Sequence, residues 1–244
     1  MILEVPCGNI ESVESALFGG ADRIELCSAL PLGGLTPTLG MFEALTEYKI
    51  PKFIMIRPRE GDFVFSEREF NCMLNDIEVF RRAGAHGIVS GILLENGEID
   101  RERSKELIIA AHPLPFTFHR AFDLTPDPFR SLDFLLELKV DRLLTSGQAP
   151  DANSGRDLIS KLVRLAANKI VIMAGAGVNS ANVLSICEAT GVSEIHLSGR
   201  VRKKSQMLIH NSSVAMGNDK HDESFYEVTD SLIIKKIRDL IDKK

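Results

Sequence analysis

The side chains in this sequence best suited to chemistry are Glu4, Glu25, Arg57, His119 and His196, each in or at the end of a short apolar, β-branched run. Side chains alternate between the two faces of a strand, so apolar neighbours assign the facing of the polar ones. In Arg23-Ile24-Glu25-Leu26-Cys27, Ile24 and Leu26 claim the apolar face and turn Glu25 and Cys27 the other way. The same rule turns Glu4, Arg57, Thr117, His119, His196 and Ser198 to that second face. An imidazole titrates near neutrality, and a carboxylate beside it fixes its tautomer. His119, oriented by Glu25 or Asp123, therefore reads as a general acid or base, with His196 as a second candidate. The competing reading is a closed ion-pair plug in which Arg57 neutralises Glu4 and Glu25, because buried charges are costly unless paired.

A second set of residues suits an anion. Arg57 and Arg59 flank Pro58, and Arg120 follows His119. Guanidinium groups bind carboxylate and phosphate through forked donors, and two unrelated salt bridges are the competing explanation. Gly175 and Gly177 follow the seventh strand and Ser198 follows the eighth, where glycine-rich loops can present backbone N–H groups to a phosphate or simply allow tight turns. No inward lysine falls at a strand end, which disfavours a Schiff base.

These residues must be positioned by a repeated unit. Strand patterns begin near Ile2, Asp22, Lys52, His86, Pro115, Asp141, Lys169 and Glu194, each followed by a helical pattern. Eight even βα units predict a (β/α)₈ TIM barrel rather than an open doubly wound sheet, which usually carries a phosphate loop after its first strand. Asn9 caps a first helix with Ile10, Val13 and Leu17 on one face, ended by Gly19-Gly20. Ser66 and Glu69 form a capping box ahead of Met73, Ile77 and Phe80. Thr125-Pro126 starts a helix with Phe129, Leu132 and Leu136 inward, and the last helix runs from about Tyr226 with Leu232, Ile233, Ile237, Leu240 and Ile241 on its stripe. The expectation is one domain over residues 1–244, with 200–225 as a long loop between strand eight and the last helix, serving as a lid or an oligomer contact.

The 244 residues are 44% hydrophobic and 26% charged, with net charge −5, an ordinary globular balance without the basic excess of a nucleic-acid or anionic-membrane surface. No apolar run approaches the roughly 18 residues that cross a bilayer, and no leader precedes the first strand, so a cytoplasmic or nucleocytoplasmic protein is expected. The four cysteines have neither CxxC nor framework spacing. Cys72 and Cys187 read as small core residues inside helices, whereas Cys7 and Cys27 follow strands.

Several stretches resemble the CutC family, long named for copper homeostasis. They are Ala21 to Cys27, Gly33-Gly34-Leu35-Thr36-Pro37, Met55 to Arg59 with Gly61-Asp62-Phe63, Thr117 to Asp123, and Leu144-Thr145-Ser146-Gly147. The likeness runs from the first strand to about Met216-Gly217. It implies a (β/α)₈ barrel, a cytosolic role in copper handling, Cu(I) as ligand in animal members, and self-association into oligomers. Cys27 matches one implied copper cysteine. Where animal-type members place the other, this chain has Pro6, and its own cysteine is Cys7. A one-residue shift reverses facing in a regular strand. Two functions follow. One is Cu(I) binding by Cys27 with Cys7, or with Met207 or Met216, since Cu(I) prefers sulfur. The other is a metal-independent enzyme acting on an anionic or phosphorylated small molecule.

Overall fold

A computed structural model describes residues 1–209 and 222–243. Eight parallel strands close into a barrel in sequential order. They are β1 Ile2–Cys7, β2 Arg23–Leu26, β3 Lys52–Met55, β4 Gly87–Ser90, β5 Phe116–Phe118, β6 Arg142–Thr145, β7 Val171–Gly175 and β8 Glu194–His196. The connecting helices are α1 Ile10–Gly19, α2 Leu39–Ala44, α3 Glu67–Ala83, α4 Arg101–Ala111, α5 Pro128–Glu137, α6 Arg156–Ala166 and α7 Val183–Thr190, with α8 Ser231–Asp242 last. This is the expected TIM barrel. Leu3, Val5, Ile24, Leu26, Ile54 and Ile88 face outward into a fully buried layer under the helices.

Helix ends follow the sequence closely. Asn9 accepts the Ser12 N–H to start α1, and Gly20 ends it with φ 86°, a left-handed turn that suits glycine. The Ser66–Glu69 capping box is complete in both directions, and Phe70, Met73, Ile77 and Phe80 of α3 are buried. The facing of α1 differs from expectation. Ile10 and Leu17 are exposed, while Val13, Ala16 and Gly19 pack inward. Gly19 lies so close to α8 that a Cβ there would sit 2.4 Å from Ile234 Cβ, so small residues set this face and large ones cannot.

Three further expectations are corrected. Helix α5 starts at Pro128, with Asp127 accepting the Phe129 and Arg130 N–H groups, and Thr125 instead closes a short 3₁₀ turn over Arg120–Leu124. That shift leaves Phe129 exposed and Leu132 buried. Cys72 is exposed on α3 rather than in the core, although Cys187 is buried as expected. Tyr226 lies in a strand, not in the last helix: β9 Arg200–Lys204 and β10 Phe225–Thr229 form an antiparallel ribbon, and α8 begins only at Ser231. In α8, Ile234, Ile237 and Ile241 are buried and Leu232 is exposed.

The ribbon occupies part of the expected lid. It leans on α1 through the Asn9 amide to the Glu227 carbonyl at 3.0 Å and through the Thr229 N–H to Ser12 Oγ at 3.0 Å. Asn211-Ser212-Ser213, Met216 and Gly217-Asn218 lie outside the described residues. Among the described residues, no helix is long and apolar enough to cross a membrane. Ser66→Ala is expected to lower the stability to urea by about 1 kcal/mol, because α3 loses its reciprocal cap.

Candidate active site in the barrel mouth

The barrel interior is charged from its floor upward. Phe53 fills the floor, and Gly87 beside it makes room, since a Cβ there would lie 2.3 Å from the ring. Arg23 and Arg142 stack on the Phe53 ring at 4.9 and 5.2 Å. Glu194 joins the two arginines, bonding Arg142 Nε at 2.6 Å and pairing with Arg23. Arg23 also pairs with Glu4, which takes His196 Nδ1 at 2.9 Å. His196 Nε2 then faces Glu25 Oε2 across 3.9 Å. The result is one buried relay, Arg142–Glu194–Arg23–Glu4–His196–Glu25, rising to the mouth.

Strand parity thus places Glu4, Glu25 and His196 together, but Arg57 does not neutralise them. Its guanidinium donates to the carbonyls of Leu32, Gly34 and Gly61 at 2.8–3.2 Å, tying the loops after β2 and β3 together. Arg23, Arg142 and Glu194 also point inward, each sharing the parity of Glu25, Leu144 or His196 in its own strand, and were not among the residues expected there.

Titration follows from this wiring. Burial alone would raise Glu4, but the His196 hydrogen bond and Arg23 outweigh it and hold the carboxyl down at about 2. Glu25 lacks such partners; burial, with the Glu4 charge, pushes it up to about 7 even though His196 and Arg23 pull it down. Burial acts to lower His196, yet Glu25 and the Glu4 hydrogen bond prevail and lift it above the usual histidine value.

Above the relay opens a cavity of about 590 Å³ whose wall includes Glu25, Met55, Arg57, His119, Arg120, Asp123, Gly177, His196, Ser198 and Arg200. His119 is not paired with a carboxylate as expected. Its Nδ1 accepts the Ala121 N–H at 3.3 Å, while Phe63 packs on the ring with centroids 4.8 Å apart. Burial and the nearby Arg57 charge press its pKa down to about 3, so it is a neutral imidazole and a poor general base at neutral pH. Asp123, offered as its partner, is instead consumed by the Ser146 and Gln148 N–H groups, the Thr145 hydroxyl and Arg120.

The anion-binding candidates separate. Arg59 holds Asp62, Glu69 and the Val64 carbonyl in the loop after β3 and is not in the cavity wall. Arg120 reaches the cavity but bonds Asp123 and Ser146 Oγ at 2.8 and 3.0 Å. Gly175 is a spacer, since a Cβ there would meet Leu144 at 2.6 Å and His196 at 3.3 Å. Gly177 and Ser198 stay in the wall, joined by Arg200, which opens β9, donates from Nε to Ser198 Oγ at 3.3 Å and pairs through Nη1 with Glu227 at 2.5 Å.

The thiols also separate. Cys7 ends β1 with its neighbours in the helix-side core, whereas Cys27 packs inside the barrel with Phe53, Met55 and Val89. Pro6, not Cys7, reaches the cavity. Burial and the Glu25 charge push both thiols up, which disfavours thiolates. A two-thiolate Cu(I) site therefore does not fit the folded chain. Among the described residues, Glu4, Glu25 and His196 bring ligand atoms within 4.8 Å of one another. Glu4 is already committed to Arg23 and His196, leaving two oxygen and nitrogen donors, fewer than the three protein ligands of a typical catalytic zinc site and a poor match for soft Cu(I).

A sequence model of the CutC family matches residues 1–201. The chain belongs to the CutC family. A family protein CutC from Pasteurella multocida is 44% identical over all of both chains. The human copper homeostasis protein cutC homolog is 46% identical, covering 88% of this chain and 80% of its own. A CutC crystal structure from Streptococcus agalactiae superposes with a TM-score of 0.77 at 34% identity, covering 80% of this chain and 97% of that one. In this CutC chain the relay is also a stability element. Glu4→Gln is expected to cost about 3–5 kcal/mol in urea unfolding at neutral pH, since it strips Arg23 and His196 of a buried counter-charge. The Glu4 carboxyl is held below its ordinary 4.5, so its contribution is present above that value and lost as pH falls toward about 2; the penalty of the variant should shrink over that window.

Proposed function

We propose that this chain works in copper homeostasis, the role named for its human and mouse relatives, and that its molecular task is to bind a small anionic molecule in the barrel mouth and move a proton on it. The observation that carries the molecular part is a set of orphaned polar atoms in the wall, the Nε of Arg57 and the two that can take part in proton transfer. Glu25 Oε1 and His119 Nε2 are buried without a hydrogen-bond partner, and both residues belong to the wall of one cavity. Buried polar atoms are normally satisfied, and orphans at the C-terminal mouth of a barrel are what a ligand would satisfy. Glu25, not His119, is the proton carrier in this reading: of the two, burial brings Glu25 up to about 7 and takes His119 down to about 3. Gly177, Ser198 and Arg200 supply the side of the cavity suited to an anion, with the ligand taking the place that the half-exposed Glu227 carboxylate holds on Arg200.

Crystals soaked in inorganic phosphate should show an anion against Gly177, Ser198 and Arg200. Arg200→Met should weaken phosphate binding about tenfold, the loss of one charge-assisted hydrogen bond. Phosphate found solely on the barrel exterior would remove the reading.

Direct Cu(I) handling is a second reading, favoured by one contact. Cys27 Sγ and Met55 Cε lie 3.7 and 3.5 Å from the same point beside Gly34, a thiol and a thioether on the inner wall. Met207, offered earlier as a partner, is exposed, and Met216 lies outside the described residues. Anaerobic Cu(I) titration should then give one tight equivalent that is lost in both Cys27→Ser and Met55→Leu. Absence of a tight site in the wild type would end this reading.

A further inference from the structure

The cavity holds two groups with opposite abilities. The Ala121 N–H can only donate, so His119 Nδ1 is an acceptor and the ring proton sits on Nε2. Phe63 and Phe118 pack against the ring, which fills the space that a side chain at Gly91 would need. A second proton on Nδ1 would face the Ala121 N–H, and Arg57 repels the resulting charge. His119 is thus a donor that cannot act as a shuttle. Glu25 is the reverse. Its Oε2 looks toward His196 and its Oε1 is orphaned, so it can accept a proton and return it. The groups that act on Glu25 are Glu4 from β1, Arg23 from β2 and His196 from β8.

We propose that the ligand is a small carbonyl compound with a hydrogen on the adjacent carbon, its carbonyl oxygen on His119 Nε2–H and its C–H toward Glu25. The inference rests on the reading of the mouth as a proton-transfer site and names the substrate class. The ionised Glu25 takes the proton from the carbon next to the carbonyl. The C–H electron pair becomes a C=C bond, and the carbonyl π pair moves to oxygen, where the neutral His119 N–H holds the enolate. A neutral imidazole opposite a carboxylate base is a known pairing for this chemistry. Glu25 then returns the proton to carbon, and no oxidant, reductant or co-reactant is consumed. Alternatives fit less well. Among the described residues the lining holds no lysine for a Schiff base, and the Ser198 hydroxyl is paired with Arg200 Nε rather than with an imidazole base.

Solvent-deuterium exchange tests this. The full chain is incubated in D₂O with dihydroxyacetone phosphate, glycolaldehyde phosphate and 2-oxobutyrate, and deuterium entry at the adjacent carbon is followed by proton NMR. Wild type should exchange at least one probe above background. Glu25→Gln should lower that rate at least about 100-fold, and His119→Phe should lower it by about 10²–10³, the cost of removing one oxyanion donor. His119→Gln retains an N–H donor and should recover part of the rate, which a purely structural role would not predict. Nitrogen-15 NMR should show His119 as the Nε2–H tautomer without titration from about pH 5 to about pH 8.

Protonation of His119 in that range, or exchange of none of the three probes, overturns the inference. If inorganic phosphate still binds beside Gly177 while no probe exchanges, the carbonyl assignment fails and the anion reading stands. If phosphate and the probes all fail to enter the cavity, both fail.

Discussion

Six ionisable side chains are threaded through the middle of this barrel, and the relay from Arg142 to Glu25 governs much of the remaining design. Each member is adequate only because its neighbour is present: Glu194 spans two arginines, Arg23 spans two glutamates, and His196 stands between Glu4 and Glu25. Losing one member is costly, but the set as a whole is weak evidence for net stability, because a complete hydrophobic replacement often does as well. It is strong evidence for register. Sliding one strand by a single residue would send its charged members into the helix-side core and bring leucine or isoleucine inside. The relay also hands an unmet charge requirement upward until it ends at Glu25. That carboxyl is therefore left with an orphaned oxygen at the floor of the cavity.

The loops above obey a different economy. Arg57 and Asp123 look functional by type and place, yet each spends most of its hydrogen-bonding capacity on the protein itself. Arg57 gathers three backbone carbonyls, and Asp123 gathers backbone N–H groups and hydroxyls across the neighbouring strand end. They make the mouth rigid. The atoms left over in the wall are few: Glu25 Oε1, His119 Nε2 and the Nε of Arg57 itself. A site is easier to recognise by such leftovers than by its count of charged residues.

Much of this was legible in the chain because strand facing has a period of two. Ile24 and Leu26 committed Glu25 to the interior, and similar reasoning found Glu4, His119 and His196. Arg23 and Arg142 were equally open to that rule. What it could not reach were contacts set by backbone outside the strands. The His119 tautomer depends on one N–H in the 3₁₀ turn, and the Arg57 clamp depends on carbonyls from two loops. Helix α1 misled for a related reason: the close approach of Gly19 to α8 chooses the buried face, overriding the larger Ile10 and Leu17. Residues 225–229 lack the clean alternation of a buried strand, because the ribbon lies on the outside of α1 and packs only its end. At the first strand, Pro6 and Cys7 exchange the facings that a two-cysteine metal site would require.

The pairing of Phe53 with Gly87 reaches beyond the floor of the barrel. The ring occupies the space a side chain at 87 would need, and both relay arginines lie on its faces. A mutational path through position 87 is therefore closed unless 53 shrinks first, and a smaller residue at 53 strips two cations of their stacking surface. Position 53 in turn cannot change freely while Arg23 and Arg142 stay. Four positions far apart in the chain are bound into one packing unit, so a substitution at one is tolerated only with a matching change at another.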